Sequence, residues 1–477
     1  MIDVLFVNVP IISVSYPPTA CSMLKSVAEQ DGYSAKVIDF NLSMYEKYGS
    51  EYDDFFIIGD EGKNADHIVD EWVDEILDLN PRFLGISVFT FQCQTATRML
   101  CAALKKKNWE GKIIIGGAGI SSNGISAADN DFGKDLLENG TIDYYVRGEG
   151  ELSILKILSS EEGFGINNDK WQQIDDLDCY PFPNYGDIID LPYKYPTEGI
   201  QLPISGSRGC VRKCTFCDIH TFWKKFRFRS GESIAAEMIH QYETHNVRNF
   251  FFTDSLINGS MKAFRDMLSA LVDYYEANGL PDRFFNFGGQ YIIRSEKQQP
   301  SEDYELMARA GCNNVVFGVE TGSEDVRNDM KKMFDDKDLD FAMEQFSENN
   351  LTCYFSMISG YPTETIEDHE QTKKMFKKYQ RYIFDGTIIG INLGGTMSID
   401  DGTPIFDEGK FVQIINTDKV GLNWYNPDNP ALTLDERVRR RIDIQEYVMK
   451  LGYTVWSGDM HLKRVIGGYE RIKNGTY

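Results

Sequence analysis

The sequence is short of positive charge. It carries 49 lysine and arginine residues against 73 aspartate and glutamate residues, which gives a formal net charge of −24. A chain this acidic is poorly suited to neutralising nucleic-acid phosphates, so we expect no nucleic-acid partner. One local basic stretch, at 224–229, is interleaved with aromatic residues, and we interpret it as a solvated strand or turn.

Long apolar runs and targeting signals are missing as well. No uninterrupted apolar segment approaches the roughly 20 residues that span a bilayer. The N-terminus, Met1–Asn8, has neither the basic start nor the small-residue cleavage site of a secretory signal. We therefore expect a cytoplasmic protein without a membrane span.

Cysteine is sparse, with nine residues in 477, which is no disulfide framework for a chain of this length. Six cysteines are scattered in mostly apolar contexts and are expected to be buried thiols: Cys21, Cys93, Cys101, Cys179, Cys312 and Cys353. The other three, Cys210, Cys214 and Cys217, fall within eight residues. This crowding points to a metal or cluster site.

Residues 1–158 alternate short apolar runs with amphipathic stretches of helical spacing, which predicts an α/β, doubly wound parallel sheet. Ligands of such sheets bind beyond the carboxyl ends of the strands. Five runs have strand length and composition: Val4–Val9, Ala35–Phe40, Phe83–Val88, Lys112–Ile115 and Ile142–Val146.

The rest of the chain divides into three further regions. Residues 159–200 are rich in proline and predict an ordered linker. Residues 201–393 repeat a strand–helix pattern and predict a partial (βα)6 barrel with its chemistry at the strand ends. Residues 394–477 are less regular and predict a small C-terminal cap, with one helix at Leu434–Leu451 that begins in a capping box of Thr433 and Glu436. Six runs are the predicted barrel strands: Leu202–Ser205, Asn249–Thr253, Phe284–Phe287, Asn314–Phe317, Cys353–Ile358 and Gly386–Leu393.

The three crowded cysteines form a C-x-x-x-C-x-x-C loop directly after the first predicted barrel strand. Thiolates at this spacing can wrap one face of an iron–sulfur cluster. A structural zinc site would want four ligands, and His220 is the candidate for a fourth. Three thiolates around a [4Fe–4S] cube leave one iron open for another ligand.

This loop and its place in the strand pattern resemble the radical S-adenosylmethionine (SAM) superfamily over Leu202 to Leu393. The resemblance implies a [4Fe–4S] cluster on Cys210, Cys214 and Cys217, and SAM as the second cofactor. It also implies SAM contacts from residues that occupy the family's positions: Phe216 for the adenine, Glu320 and Thr321 in the loop Gly318–Ser323, Asp254 after the second strand, and Arg294. Asp254 stands where many members carry a glycine-rich turn, which is a departure from the family's pattern.

Residues 1–158 resemble the cobalamin-binding domain that precedes the barrel in one large radical SAM branch. The resemblance implies a cobalamin site at the strand ends, formed by Tyr16, Pro17, Ser87, Gly116, Gly117, Gly148 and Glu149. No histidine precedes His67, and the Asp-x-His-x-x-Gly motif is absent. Cobalamin would therefore be held without a protein imidazole.

The resemblance implies a cobalamin-dependent radical SAM enzyme that methylates an unactivated carbon. Its partners would be a small-molecule or peptide substrate and an electron donor such as flavodoxin or ferredoxin. Three alternatives stay open: a cobalamin-dependent cyclase, rearrangement or oxidation enzyme; a tRNA methylthiotransferase-like enzyme; and a non-catalytic iron–sulfur or corrinoid binding protein. Trp424, Tyr425, Trp456 and His461 in the cap are candidate substrate contacts, and ordinary packing is the alternative interpretation of each.

Overall fold

The computed structural model describes residues 2–56, 64–120, 131–163, 165–168, 170–195, 199–399, 402–408, 413–414, 422 and 424–456. His461, an expected substrate contact, lies outside these ranges. The chain divides into two compact units, Met1–Pro203 with Glu243–Val247, and Ile204–Tyr242 with Arg248–Tyr477.

The first unit is a five-stranded parallel sheet with helices between the strands. Its strands are β1 (Val4–Asn8), β2 (Ala35–Asp39), β3 (Phe83–Ser87), β4 (Lys112–Gly116) and β5 (Tyr144–Val146). Its helices are α1 (Thr19–Gln30), α2 (Phe40–Tyr48), α3 (Asp66–Leu79), α4 (Gln94–Lys106), α5 (Phe132–Glu138) and α6 (Gly150–Leu158). The doubly wound sheet expected from the sequence is confirmed.

The strand order β2-β1-β3-β4-β5 has its topological switch between β1 and β3. The two strands run in register, with Asn8 opposite Ser87 at their carboxyl ends. Loops that leave neighbouring strands in opposite directions open a crevice at this point, which is where doubly wound sheets bind ligands. The topology therefore singles out the loops after β1 and β3.

The proline-rich segment after α6 packs onto this unit. Tyr193 donates a hydrogen bond of 2.8 Å from its hydroxyl to buried Asp39, which also accepts from Asn8 Nδ2 at 2.9 Å. Farther along the unit, Lys25 Nζ lies 2.6 Å from Asp187 Oδ2. The segment thus fastens to the carboxyl end of β2 and to α1.

The second unit is built on six strand positions in chain order. The first strand of this series, β6 (Gln201–Ile204), crosses the division after Pro203, and β9 (Asn249–Phe252), β10 (Asn286–Gly288), β11 (Gln290–Tyr291), β12 (Val315–Glu320), β13 (Cys353–Met357) and β14 (Ile388–Asn392) follow. A two-stranded antiparallel ribbon, β7 (Ser207–Arg208) with β8 (Arg227–Phe228), flanks the cysteine loop. The helices are α7 (Ile219–Phe222), α8 (Gly231–His245), α9 (Met261–Ala277), α10 (Ser301–Ala310), α11 (Glu324–Asp329), α12 (Asp336–Glu348), α13 (Ile366–Tyr379) and α14 (Arg381–Phe384).

The six positions form two sheets, β10-β9-β6 and β11-β12-β13-β14, that meet at one bend. Gly289 separates β10 from β11, so the third position contributes to both sheets. A Cβ at Gly289 would lie 2.8 Å from Phe252 Cβ, so the bend needs a glycine. The expected partial barrel is confirmed, although its third strand begins at Asn286 rather than Phe284.

The C-terminal segment adds α15 (Pro404–Glu408), the antiparallel pair β15 (Gln413–Ile414) and β16 (Trp424–Tyr425), and α16 (Leu434–Lys450). The side chain of Thr433 caps α16 by accepting from Glu436 N at 3.2 Å, whereas Glu436 pairs with Arg439 and Arg440. The cap bond is as predicted, and the return bond of a capping box is replaced by these ion pairs. None of the helices in the described ranges is long and apolar enough to cross a membrane.

Candidate functional site

The three crowded cysteines lie in the loop between β7 and α7, and all three thiols are free. Cys214 is buried, and Cys210 and Cys217 are half-buried. Burial raises the pKa of each thiol. Charge repulsion between the cysteines raises the pKa values further: that of Cys210 through Cys217, that of Cys214 through Cys210, and that of Cys217 through Cys214. The spacing in the sequence therefore brings three thiols into electrostatic contact within one loop.

Neighbouring segments hold this loop by its backbone. Thr215 donates from its amide to Met330 O at 3.2 Å, and its carbonyl accepts from Ile405 N at 2.8 Å. The Thr215 hydroxyl lies 2.8 Å from Tyr361 OH. Gly209 has a φ of +90°, and a Cβ there would lie 2.8 Å from Lys225 O. The loop is thus preformed by the fold, as a cluster site requires.

His220 does not complete a four-ligand zinc site. Its Nε2 lies 2.7 Å from the carbonyl oxygen of Arg212, to which it donates. This nitrogen is therefore committed to a bond across the cysteine loop. Three free thiols with no fourth protein ligand among the residues that the structure describes fit a [4Fe–4S] cluster with one open iron better than they fit structural zinc.

Lys332 stands beside the cysteine loop, and no sequence motif marks it. Its Nζ lies 2.9 Å from Glu320 Oε1 and 5.8 Å from the centre of the Phe216 ring. Burial opposes its charge, but Glu320 and the thiolates of Cys214 and Cys210 outweigh burial and raise the pKa of Lys332. Lys332 in turn lowers the pKa of each cluster-loop thiol. The site therefore contains a buried cation.

Backbone strain surrounds this ion pair. Glu320 has a φ of +67°, Lys331 of +58° and Met333 of +60°, which non-glycine residues adopt only at some cost. The pairing of β12 with β13 shifts register between Gly318 and Glu320. A Cβ at Gly318 would lie 2.7 Å from Glu320 Oε1 and 2.8 Å from Lys332 Nζ, so this glycine leaves the room for the pair.

The remaining expected SAM contacts fall in different surroundings. Thr321 is buried, and its hydroxyl lies 3.2 Å from Thr372 Oγ1 on α13. Arg294 donates to Asn258 O at 2.6 Å, and its pKa is lowered by burial and by the neighbouring charge of Arg212. Thr321 and Arg294 are thus both bonded within the fold, and their contacts with SAM stay predictions.

Asp254 faces the start of the cysteine loop from the end of β9. Its carboxylate accepts from Gly206 N at 2.9 Å, and burial raises its pKa to about 7. This contact holds backbone rather than leaving an open acceptor for a ligand. The role of Asp254 in SAM binding stays a prediction.

In the first unit, part of the predicted cobalamin site lies at the β1–β3 switch. Tyr16 is half-buried, with burial raising its pKa, and Pro17 is buried. Ser87 ends β3 and hydrogen-bonds the buried thiol of Cys21, whose pKa burial raises to about 12. Phe89, two residues farther on, is 59% exposed. These side chains are placed where a doubly wound fold binds its ligand.

The glycines after β4 serve a contact between loops. Val88 donates to Gly116 O at 2.8 Å and accepts from Gly119 N at 2.8 Å. Gly117 has a φ of +110°, and a Cβ there would lie 2.5 Å from Val88 O. Glycines at this place could let a ligand approach the backbone closely. In the structure, the segment that approaches Gly117 is the loop after β3.

Gly148 and Glu149, after β5, have a similar structural use. A Cβ at Gly148 would lie 2.2 Å from Gln172 O. Glu149 is buried, donates from its amide to Gln172 O at 3.0 Å, and accepts from Ile174 N through Oε2. Both residues hold the segment after α6, and their contact with cobalamin stays a prediction.

The expected cap contacts also differ in placement. Trp424 is buried and donates from Nε1 to Met397 O at 3.0 Å, so it belongs to a core. Tyr425 is half-buried. Trp456 is 59% exposed and lies across Tyr354, 4.5 Å between ring centres.

Six parallel strand positions with three free thiols after the first define the class of radical SAM domains. Residues 204–376 match the Radical SAM superfamily, so the chain contains a radical SAM domain and the resemblance inferred from the cysteine loop is confirmed.

Known proteins extend this likeness. The chain is 27% identical over 261 residues to an uncharacterized methyltransferase of Pyrococcus horikoshii, covering 51% of this chain and 54% of that protein. It is 24% identical over 364 residues to cytidylyl-2-hydroxyethylphosphonate methyltransferase of Streptomyces wedmorensis, covering 66% and 63%. It is 27% identical over 262 residues to the anaerobic magnesium-protoporphyrin IX monomethyl ester cyclase of Synechocystis, covering 51% and 50%. The chain thus spans between half and two thirds of these relatives.

Solved structures share the fold over nearly the whole chain. The radical SAM methyltransferase TsrM from Kitasatospora setae, with cobalamin and a [4Fe–4S] cluster bound, matches with a TM-score of 0.63 and 17% identity, covering 92% of this chain and 84% of that one. The cobalamin-dependent radical enzyme OxsB, with aqua-cobalamin and SAM bound, matches with a TM-score of 0.67 and 14% identity, covering 94% and 67%. The expected fold class is confirmed by both.

Proposed function

We propose that this protein is a cobalamin-dependent radical SAM enzyme that methylates an unactivated carbon of a small molecule or peptide. The observation that carries the proposal is the preformed loop of three free thiols beside a buried cation, within a radical SAM domain. The first unit, with its switch point at β1 and β3, supports a second cofactor.

Cys210, Cys214 and Cys217 would hold a [4Fe–4S] cluster. When bound, the cluster supplies the electron that cleaves SAM to methionine and a 5′-deoxyadenosyl radical, and cobalamin carries the methyl group. The protein's part is to bind, orient and exclude water. Phe216, half-buried in the cysteine loop, offers an aromatic face for the adenine, and the guanidinium groups of Arg212 and Arg294 offer charge for the SAM carboxylate.

Cobalamin would be held in the first unit without an imidazole ligand. His67 is the only histidine before residue 220, and its Nε2 lies 2.9 Å from Tyr48 OH. The loops after β1 and β3, with Tyr16, Pro17 and Ser87, would then contact the corrin. Without an imidazole ligand, we expect the methyl group to be transferred more easily as a radical.

An external electron donor such as flavodoxin or ferredoxin fits the surroundings of the thiols. Lys213 and Lys331 are exposed next to the cysteine loop, and the carbonyl of Lys331 lies 4.0 Å from Cys214 Sγ. Positive charge at this point of an acidic chain would favour docking of an acidic carrier.

The methylthiotransferase alternative would need three further cluster ligands in the first unit. Cys93 and Cys101 are both fully buried and lie eight residues apart along α4 and the turn before it, a distance of about 12 Å. Cys101 belongs to the apolar core. These two thiols do not converge on one site, which argues against a second cluster.

The test is anaerobic reconstitution with iron, sulfide and hydroxocobalamin, followed by absorption spectra and SAM turnover under a strong reductant. We expect a cluster band, retained corrinoid, and release of 5′-deoxyadenosine together with S-adenosylhomocysteine. The variant Cys214→Ala should lose the cluster, whereas Cys179→Ala, at an exposed cysteine outside the loop, should keep it.

Each of the other possible outcomes would favour a different function. Corrinoid and 5′-deoxyadenosine without S-adenosylhomocysteine would favour a non-methylating enzyme, such as a cyclase. A cluster without SAM cleavage would favour a non-catalytic carrier or sensor. No cluster in the unmodified protein would refute the proposal.

A further inference from the structure

The ion pair between Lys332 and Glu320 is buried beside the cysteine loop. The side chains are 11% and 9% exposed, and Nζ lies 2.9 Å from Oε1. The segment that carries Lys332 is bonded to the loop, since Met330 O accepts from Thr215 N at 3.2 Å. The cation is thereby fixed relative to the thiols.

This pair is costly to build. Desolvating two charges offsets much of their attraction, so a buried pair contributes little net stability. Strained backbone at Glu320, Lys331 and Met333 adds to the cost. Strain of this kind gathers at functional sites. The pair is therefore better explained by the charge that it places than by stability.

The placed charge lies beside the cysteine loop. Lys332 Nζ lies 5.8 Å from the centre of the ring of Phe216, which stands between the second and third cysteines, and the carbonyl oxygen of the adjacent Lys331 lies 4.0 Å from Cys214 Sγ. Once ligated, the three thiols would be anionic, and reduction would add one more negative charge among them.

We infer that Lys332 is a positioning residue whose fixed positive charge makes the cluster easier to reduce, and that Glu320 holds it in place and limits its effect. The inference rests on the proposed [4Fe–4S] cluster. A nearby cation stabilises the more negative, reduced state, and a nearby anion opposes it. Lys332 would thus help to set the reduction potential of the cluster that passes an electron to SAM.

The experiment is a redox titration of the reconstituted full-length protein, followed by electron paramagnetic resonance of the reduced cluster. Lys332→Met should lower the midpoint potential, so that the ratio of reduced to oxidised cluster at a fixed potential falls about tenfold, which corresponds to about 59 mV for one electron. Glu320→Gln should raise the midpoint potential. The midpoint potential of the double variant should lie between those of the two single variants, and that of Lys332→Arg should stay near the value of the parent protein.

The opposite signs separate charge from damage, because a misfolded site would not raise the potential in one variant and lower it in another. The matched control is Lys337→Met, at an exposed lysine on α12, which should leave the potential unchanged. Equal potentials in Lys332→Met, Glu320→Gln and the control would overturn the inference. If the parent protein assembles no cluster, the proposed function fails instead.

Discussion

The carboxylate of Asp254, at the end of β9, accepts a hydrogen bond of 2.9 Å from the backbone amide of Gly206, four residues before the first cysteine of the loop. Ser207 adds a second contact, and the carboxyl group is completely buried. A titratable group thus holds the chain where it enters the cysteine loop.

This contact predicts a pH dependence of stability. Burial raises the pKa of Asp254 from 3.8 to about 7, so between these values the folded protein keeps a proton that the unfolded chain has lost. The stabilisation is complete below about pH 4 and is lost as pH rises through about 7. Relative to Asp254→Asn, the parent should lose roughly a few kcal/mol of unfolding free energy across this window. Its melting temperature should fall accordingly.

Thermal unfolding followed by circular dichroism between pH 4 and pH 8 would measure the difference. Asp273→Asn, at an exposed position on α9, is the control and should show no such trend. A constant difference between the parent and Asp254→Asn over the whole range would contradict the prediction.

Gly148 and Gly140 allow a matched test in the first unit. Both have positive φ, +90° and +74°, but a Cβ would lie 2.2 Å from Gln172 O at Gly148 and more than 4 Å from any neighbour at Gly140. Gly140→Ala should cost about 1 kcal/mol from backbone conformation. Gly148→Ala should cost a further 1–3 kcal/mol, roughly, from overpacking.

Chemical unfolding together with cobalamin binding would separate the two uses of Gly148. A structural role predicts lower stability of Gly148→Ala, with cobalamin bound normally by the fraction that stays folded. Loss of cobalamin at unchanged stability would instead support the ligand contact expected from the sequence.

Arg437 and Arg439 lie on α16 with different surroundings. Arg437 is fully buried, donates to Met397 O and Leu422 O at 3.0 and 2.8 Å, and stacks 3.8 Å from the centre of the Trp424 ring. Arg437→Met should cost about 3–5 kcal/mol, because it removes the donor to Leu422 O, one of the two donors to Met397 O, and the stacking on Trp424. Arg439→Met, at an exposed position, should stay within about 0.5 kcal/mol of the parent. Equal unfolding midpoints for the two variants would contradict the assignment.

Tyr193 and Tyr195 form the last pair. The Tyr193 hydroxyl donates to buried Asp39 at 2.8 Å, whereas the buried Tyr195 hydroxyl has no hydrogen-bond partner within the described ranges. Tyr193→Phe should destabilise by about 1–3 kcal/mol. Tyr195→Phe should be neutral or slightly stabilising. Urea unfolding would decide, and an unaffected Tyr193→Phe would argue against the fastening of the proline-rich segment.

Much of the fold could be predicted because its signals are local. Apolar runs such as Phe83–Val88 and Cys353–Ile358 have the length and composition of strands, and the observed β3 and β13 differ from them by one residue at the end. The cysteine loop could be predicted for the same reason, since its three thiols lie within one short segment. Neither inference needed contacts between distant parts of the chain.

Lys332 could not be found in this way. It stands in the sequence Met330-Lys331-Lys332-Met333, where nothing distinguishes the buried lysine from the exposed one. The choice depends on positive φ angles on either side and on a partner that lies twelve residues away at a strand end. The roles of Asp254, Gly117 and Gly148 were hidden for a similar reason, because each depends on a backbone segment brought up by tertiary folding.

Three buried arginines of α16 bind backbone carbonyls of distant segments. Arg437 donates to the carbonyls of Met397, Leu422 and Trp424, Arg440 to those of Glu364 and Thr365, and Arg441 to that of Gly394. Every residue type offers the same carbonyl oxygen. Among these carbonyl partners, Glu364 also binds its arginine through its side chain, as an ion pair with Arg440, and the ring of Trp424 stacks on Arg437. Most side chains of the loops after β13 and β14 can therefore be replaced without loss of the bonds that hold these loops to α16.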